Sequence, residues 1–150
     1  MAYSQQSRSN DTLSVQEAVT KYGVPIDNDF QMAQKARSGL PASAFFDLVN
    51  VSGFGNQELS SILDLSFKTI QRYQKEEKKL NALNSEQLLK LIGLFQKAEE
   101  VFSDIKSIDR WLRKPAAGLG NNIPFSFLQT PGGIDLVRDE LLRIEYGALA

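Results

Sequence analysis

The chain has 150 residues, 42% hydrophobic and 23% charged, with 17 basic against 18 acidic side chains. That composition excludes a disordered chain and suits one domain, or two small ones sharing a core. With neither Cys nor His, disulfides, thiolate or imidazole metal sites and every His-based general base or triad are excluded.

The first ten residues, MAYSQQSRSN, hold one Arg and no apolar stretch. They read as a frayed end rather than a secretory signal. No apolar run approaches the roughly 20 residues that cross a bilayer, so a cytoplasmic location and no membrane partner are expected. Ser14 and Glu17 have capping-box spacing before Ala18, Val19 and Tyr22, with Gly23 and Pro25 as a stop. A second helix is expected from Asp29 through Phe30, Ala33 and Ala36 to Gly39. A third follows Pro41 and carries Phe45, Leu48 and Val49 until Ser52-Gly-Phe-Gly55 breaks it.

Two short helices are then expected at roughly 56–63 and 67–77. A longer one opens at Asn84 or Ser85, with Leu88, Leu89, Ile92, Phe95, Ala98, Val101 and Phe102 at helical spacing. Asp104 caps a further helix with Ile108, Trp111 and Leu112, ended by Pro115; Gly118 to Pro124 is a loop. Thr130-Pro131 opens the last helix, with Ile134, Val137, Leu141 and Ile144 on one face, Leu136 and Leu142 on the other, and Gly147 as its stop. No run alternates as a strand does. The expected fold is all-α.

Charge is uneven along the chain. Residues 1–50 carry four basic and five acidic side chains, residues 51–97 seven and five, and residues 98–150 six and eight. The only net positive third contains the most informative stretch, Asn56 to Lys75. There Leu59, Ile62 and Leu63 make the apolar side of a short helix and Asp64-Leu65 a tight turn. Ser66 caps a second helix whose Ile70 and Tyr73 point inward. That is helix-turn-helix spacing, with the small Ser60 where the helices cross and Asp64 at a turn position that wants a left-handed residue.

In a docked helix-turn-helix the start of the second helix meets base edges. The outward residues are then Phe67, Lys68, Gln71, Arg72 and Lys75, beside the capping Ser66. Lys and Arg donate to guanine, Gln pairs with adenine, and Phe touches a thymine methyl. Asn56 and Gln57 are placed for phosphate contact together with the exposed amides of the first helix. The competing reading is a solvated surface, since Lys75-Glu-Glu-Lys-Lys79 also suits (i, i+4) ion pairs. One subunit neutralises few phosphates, so specific DNA binding implies a homodimer.

In the C-terminal third, Trp111 reads as a core anchor and Gly118 and Gly120 as loop formers. Much of this stretch is explained by packing alone. The residues nonetheless fall in a recognisable order. Gly39-Leu-Pro41, Leu65-Ser66 with Thr69 and Arg72, and Ser85-Glu86 come first. Trp111-Leu112, Pro115, Leu119-Gly120, Pro124, Thr130, Gly133, Val137 and Arg143-Ile-Glu-Tyr-Gly147 follow. In this order the chain resembles, over roughly residues 29–147, the Xre/MbcA/ParS-type antitoxins of bacterial type II toxin–antitoxin systems. Ser103 stands where that family usually has Gly, Ile108 where it has Ala, and Ala116-Ala117 where Asn is frequent.

Residues 1–38 read as an N-terminal helical region whose amphipathic helices either make the dimer contact or cover the core. The resemblance implies a two-part protein, an Xre-like helix-turn-helix domain at 39–103 and a toxin-binding domain at 104–150. It implies repression of the chain's own operon by operator binding, and inhibition of a RES-type, NAD-consuming toxin by the terminal helix and tail. By position, the toxin contacts fall at Arg143, Glu145, Tyr146 and Gly147, with Leu119, Gly120 and Asn121 as second candidates. No cofactor or metal is expected, and no enzyme activity. The runner-up is a stand-alone helix-turn-helix regulator whose C-terminal half dimerises or binds an effector. A hydrolase built on Glu99, Glu100 and Asp104 is disfavoured, because neighbouring acids on one helix usually face solvent.

Overall fold

A computed structural model describes residues 13–25 and 27–149. The ten N-terminal residues expected to fray lie outside these. Among the described residues eight α-helices follow one another: α1 (Val15–Tyr22), α2 (Asp29–Ser38), α3 (Ser43–Ser52), α4 (Asn56–Leu63), α5 (Phe67–Lys75), α6 (Ala82–Phe102), α7 (Ile105–Leu112) and α8 (Pro131–Leu149). Short 3-10 turns at Ala117–Leu119 and Pro124–Phe127 separate the last two. No strand occurs among the described residues. Six helices start on a side chain that accepts the amide three residues on: Ser14, Asn28, Ser66, Asn81, Asp104 and Thr130 receive Glu17, Gln31, Thr69, Asn84, Ser107 and Gly133. Each cap satisfies an amide that the helix itself leaves free.

The long α6 is the axis of the molecule. Leu88, Leu89, Leu91, Ile92, Leu94 and Phe95 are all fully buried, which is apolar burial around the helix rather than on one stripe. α1 and α2 cover it from the N-terminal side, α8 lies along it from the C-terminal side, and α3 and α7 also pack on it. Val15, Ala18, Val19 and Tyr22 of α1 are therefore core residues. From α8, Ile134, Val137 and Leu141 are buried, each stabilising the fold by about 1.5–3 kcal/mol. Phe54 sits edge-on between Phe95 and Phe125, with ring centroids 5.4 and 5.3 Å away.

Several expectations are corrected. The long helix opens at Ala82 on an Asn81 cap, three residues ahead of Ser85. Asn84 and Ser85 lie inside it and are buried. In α2, Phe30 is 71% exposed and Ala33 is also outside, because only Ala36 and part of Met32 face α6. Trp111 stands at the rim of the core, half-buried against Phe102 with centroids 5.7 Å apart. Gly147 does not stop the last helix, which runs on to Leu149. α5 ends at Lys75, two residues earlier than its expected limit.

The buried polar residues of α6 hold the helix-turn-helix in place. Asn84 Nδ2 donates to Leu63 O (2.8 Å) and to Gln87 Oε1 (2.9 Å). Gln87 Nε2 donates to Ile62 O (3.2 Å) and Gln129 O (2.8 Å). The carbonyls at the end of α4, which no intrahelical amide reaches, are thus satisfied by α6. Ser85 Oγ accepts from Leu40 N (2.9 Å) and donates to Leu80 O (3.3 Å), fastening the entry to α3.

Candidate functional site

α4 and α5 meet through a turn with the expected chemistry. Asp64 takes φ +54°, the left-handed conformation, and the amides of Asp64 and Leu65 bond back to Ser61 O (3.2 Å) and Ser60 O (3.0 Å). Ser60 is buried at this crossing and its hydroxyl has no partner. Ser66 Oγ accepts from Thr69 N (3.1 Å) and lies 2.8 Å from Thr69 Oγ1. Ser66 thus caps α5 as its spacing predicts, and it stays exposed at the start of that helix. Ile70 is fully buried and Tyr73 half-buried, as the inward positions require.

Lys68, Gln71, Arg72 and Lys75 are exposed along α5, and among the described residues none of the three cations pairs with a carboxylate. The ion-pairing alternative at 75–79 is not realised. The helix ends at Lys75 and Glu77 takes φ +54°, so (i, i+4) geometry is lost. Lys78 instead lies over the Tyr73 ring, 4.6 Å from its centroid. Phe67 departs from its outward assignment: it is half-buried, its ring 5.9 and 6.0 Å from those of Phe45 and Phe46. The remaining rim of Phe67 lines an open groove of about 750 Å³ with Gln57, Ser61, Lys68 and Gln71.

Asn56 and Gln57 are exposed in the first turn of α4. Its N-cap is Gly55, which offers no side chain, so no side-chain cap fills the leading amides. Glu58 closes the turn by accepting from Gly55 N (3.0 Å). Arg113 grips the same carboxylate with two bonds (2.7 and 3.1 Å) and donates Nε to Asp109 (2.9 Å). The guanidinium holds Glu58 below the usual carboxylate range, helped by the Gly55 amide and opposed by burial.

A second positive surface, at the end of α2, was not legible in the sequence. Lys35, Arg37 and Lys79 line an open concavity with Lys21, and no carboxylate of the described residues lines it. Lys21 is held by Asp47 at 2.8 Å. The signal was the spacing of Lys35 and Arg37 near the end of α2, which only tertiary packing brings to Lys79.

At the other end, the 118–122 loop is closed by Ala116 N to Asn122 O (3.0 Å) and by Asn121 N to Ala116 O (3.0 Å). Gly120 and Asn121 both take left-handed φ, +65° and +62°. The loop lies against α8: a Cβ on Gly118 would fall 1.8 Å from Arg143 Nη2. Arg143 clasps Glu140 with one edge of its guanidinium, Nε and Nη2 donating at 2.6–2.9 Å. Arg143, Tyr146 and Gly147 share the outer face, with Tyr146 66% exposed. Two candidates do not join them. Leu119 is buried at 7% exposure, because its side chain plugs the space under the loop. Glu145 turns back toward α6 and meets Lys97 at 3.5 Å.

Comparison with known proteins assigns both halves. The sequence model of the antitoxin Xre-like helix-turn-helix domain matches residues 31–93. That of the antitoxin Xre/MbcA/ParS C-terminal toxin-binding domain matches residues 97–147. The chain belongs to the Xre/MbcA/ParS antitoxin family. An Antitoxin Xre of Photorhabdus laumondii is 25% identical over 129 residues, covering 85% of this chain and 87% of that protein. The fold is similar to a chain in the crystal structure of the Mycobacterium tuberculosis MbcT–MbcA toxin–antitoxin complex. The TM-score is 0.56 at 20% identity, over 71% of this chain and 94% of that one. This antitoxin thus has a helix-turn-helix domain followed by a toxin-binding domain. No described helix is long and apolar enough to cross a membrane.

Proposed function

We propose that this antitoxin binds operator DNA through α4 and α5, represses its own operon, and blocks a RES-type, NAD-consuming toxin with α8 and the 118–121 loop. The observation that carries the DNA half is the set of unpaired cations on α5 beside the uncapped amides of α4. Base-reading falls to Lys68, Gln71 and Arg72, and phosphate contact to Asn56, Gln57 and Lys75. Few phosphates per subunit favour a homodimer on a two-fold operator. The toxin half rests on the outer face of Arg143, Tyr146 and Gly147 with Gly120 and Asn121 beside it. Exposed Arg and Tyr are the residue types that dominate interface energetics. The division of labour falls at the turn after α6, with 39–103 as reading head and 104–150 as stopper, and the antitoxin itself performs no catalysis.

Mobility-shift titration on the upstream promoter tests the first half. Lys68→Ala or Arg72→Ala costs about 1–3 kcal/mol with relaxed preference at one base pair if the side chain reads a base, and a uniform loss if it contacts phosphate. Unchanged binding by both variants refutes the assignment. For the second half, Tyr146→Ala is expected to lose capture of the co-expressed toxin while keeping DNA binding.

A further inference from the structure

We propose that α7, inside the segment matched to the toxin-binding domain, carries a second DNA contact: Lys106, Arg110 and Lys114 form a cationic edge that grips the phosphate backbone beside the start of α4. This rests on the DNA reading above and extends it to a part of the chain that the reading leaves out.

Placement comes first. α7 runs alongside the 53–58 segment: Ile105 Cγ2 is 3.9 Å from where a Cβ on Gly53 would sit, and Arg113 holds Glu58 at 2.7 Å. Residues 106 and 110 fall on one side of α7, about one turn apart, and Arg113 and Lys114 follow its last residue, Leu112. The end of α7 that reaches Glu58 through Arg113 thus carries Arg110 and Lys114 close by, with Lys106 about one turn back. All three are exposed, and none pairs with a carboxylate among the described residues. The neighbouring first turn of α4 has amides that no side chain caps, the group that helix starts offer to phosphate. Arg113 neutralises Glu58, the one acid in that turn, which would otherwise repel a duplex.

Charge segregation points the same way. Residues 98–150 are net acidic, yet the stretch 104–114 holds Lys106, Arg110, Arg113 and Lys114 against only Asp104 and Asp109. On α8 the balance reverses, with Asp135, Asp139, Glu140 and Glu145 against only Arg138 and Arg143. One domain thus turns a cationic edge toward the reading head and an acidic helix elsewhere. Lys106 and Arg110 stand about 6 Å apart along α7, and Lys114 lies two residues past its end, so the edge matches about two to three phosphates of one strand. Because phosphate carries no sequence information, this edge supplies affinity rather than specificity. It also holds the toxin-binding half against the duplex.

The test compares the full-length protein on two duplexes, one from upstream of its gene and one of scrambled sequence, over a series of salt concentrations. Lys106→Ala/Arg110→Ala/Lys114→Ala is expected to weaken both duplexes by the same factor, about tenfold or more at low salt. The slope of log affinity against log salt becomes shallower by about two to three. Lys106→Arg/Lys114→Arg keeps the slope, since charge and not shape is required. A triple variant with wild-type affinity and slope overturns the proposal, as does one that loses only toxin capture, which would give this edge to the toxin. Arg72→Ala separates the two ideas: if it loses promoter binding while the triple variant does not, the reading head stands and the α7 contact falls. If the unsubstituted protein binds neither duplex, both fall.

Discussion

Ser103 takes φ +69° just after α6, at a position where the resembling family usually has Gly. An L residue is strained there and Gly is not. Ser103→Gly is expected to raise stability by about 0.5–1 kcal/mol, a few degrees in the melting temperature measured by calorimetry. Ser60 offers a second residue-scale check. Its buried hydroxyl has no partner, so Ser60→Ala removes a desolvated polar group and is expected to be neutral or stabilising by up to about 1 kcal/mol. A clear loss in denaturant melts would show that the hydroxyl does find a partner. The Glu58–Arg113 bond is pH-dependent with a definite sign. Because the folded carboxyl is held below its ordinary value, its contribution is complete at neutral pH and is lost as pH falls through that depressed value. Both side chains are more than a third exposed, so the effect is small and screened by salt. The stability gap between wild type and Arg113→Met is expected to be widest near neutrality and to close in acid.

At the scale of elements, what orients the reading head is the pair of amides on α6. Gln87 reaches the last turn of α4 and the carbonyl of Gln129, just before α8. Gln87→Leu keeps the bulk but strands both carbonyls, and is expected to cost about 1–3 kcal/mol in denaturant unfolding. Promoter affinity should fall with it, as α4 loosens. Gln87→Glu retains an acceptor without the donor and should not rescue. Neither Asn84 nor Gln87 was legible in the sequence as anything but a polar start to a helix. Their role depends on carbonyls more than 20 residues away, and periodicity carries no such information.

For the whole molecule, α8 is both core and surface. Ile134, Val137 and Leu141 are buried against α6, worth about 1.5–3 kcal/mol each in a fold whose total stability is of order 5–15 kcal/mol. A chain ended before Thr130 is therefore expected to melt without a sharp cooperative transition, and its failure to capture toxin would report unfolding. Tyr146→Ala, 66% exposed, is expected to leave the melting curve unchanged while capture is lost. The same double use explains α1 and α2. Their apolar residues read equally as a dimer contact or a cover, and within this chain those of α1 are used on α6.

From the sequence alone came the all-α class, the caps at Ser14, Ser66 and Asp104, and the helix-turn-helix at Asn56–Lys75. Each depends on residues within a turn or two of one another, where spacing and geometry are the same information. The order of Trp111, Gly120 and Gly133 likewise carried the family without any contact being known. Only the folded chain decided that Phe67 packs on Phe45 and Phe46, that Leu119 is buried, and that Glu145 turns to Lys97 while Arg143 and Tyr146 face outward. It also brought α7 to the first turn of α4. Those outcomes turn on which of several amphipathic faces meets which neighbour. Burial is shared among helices distant in the chain, and no local pattern records the choice.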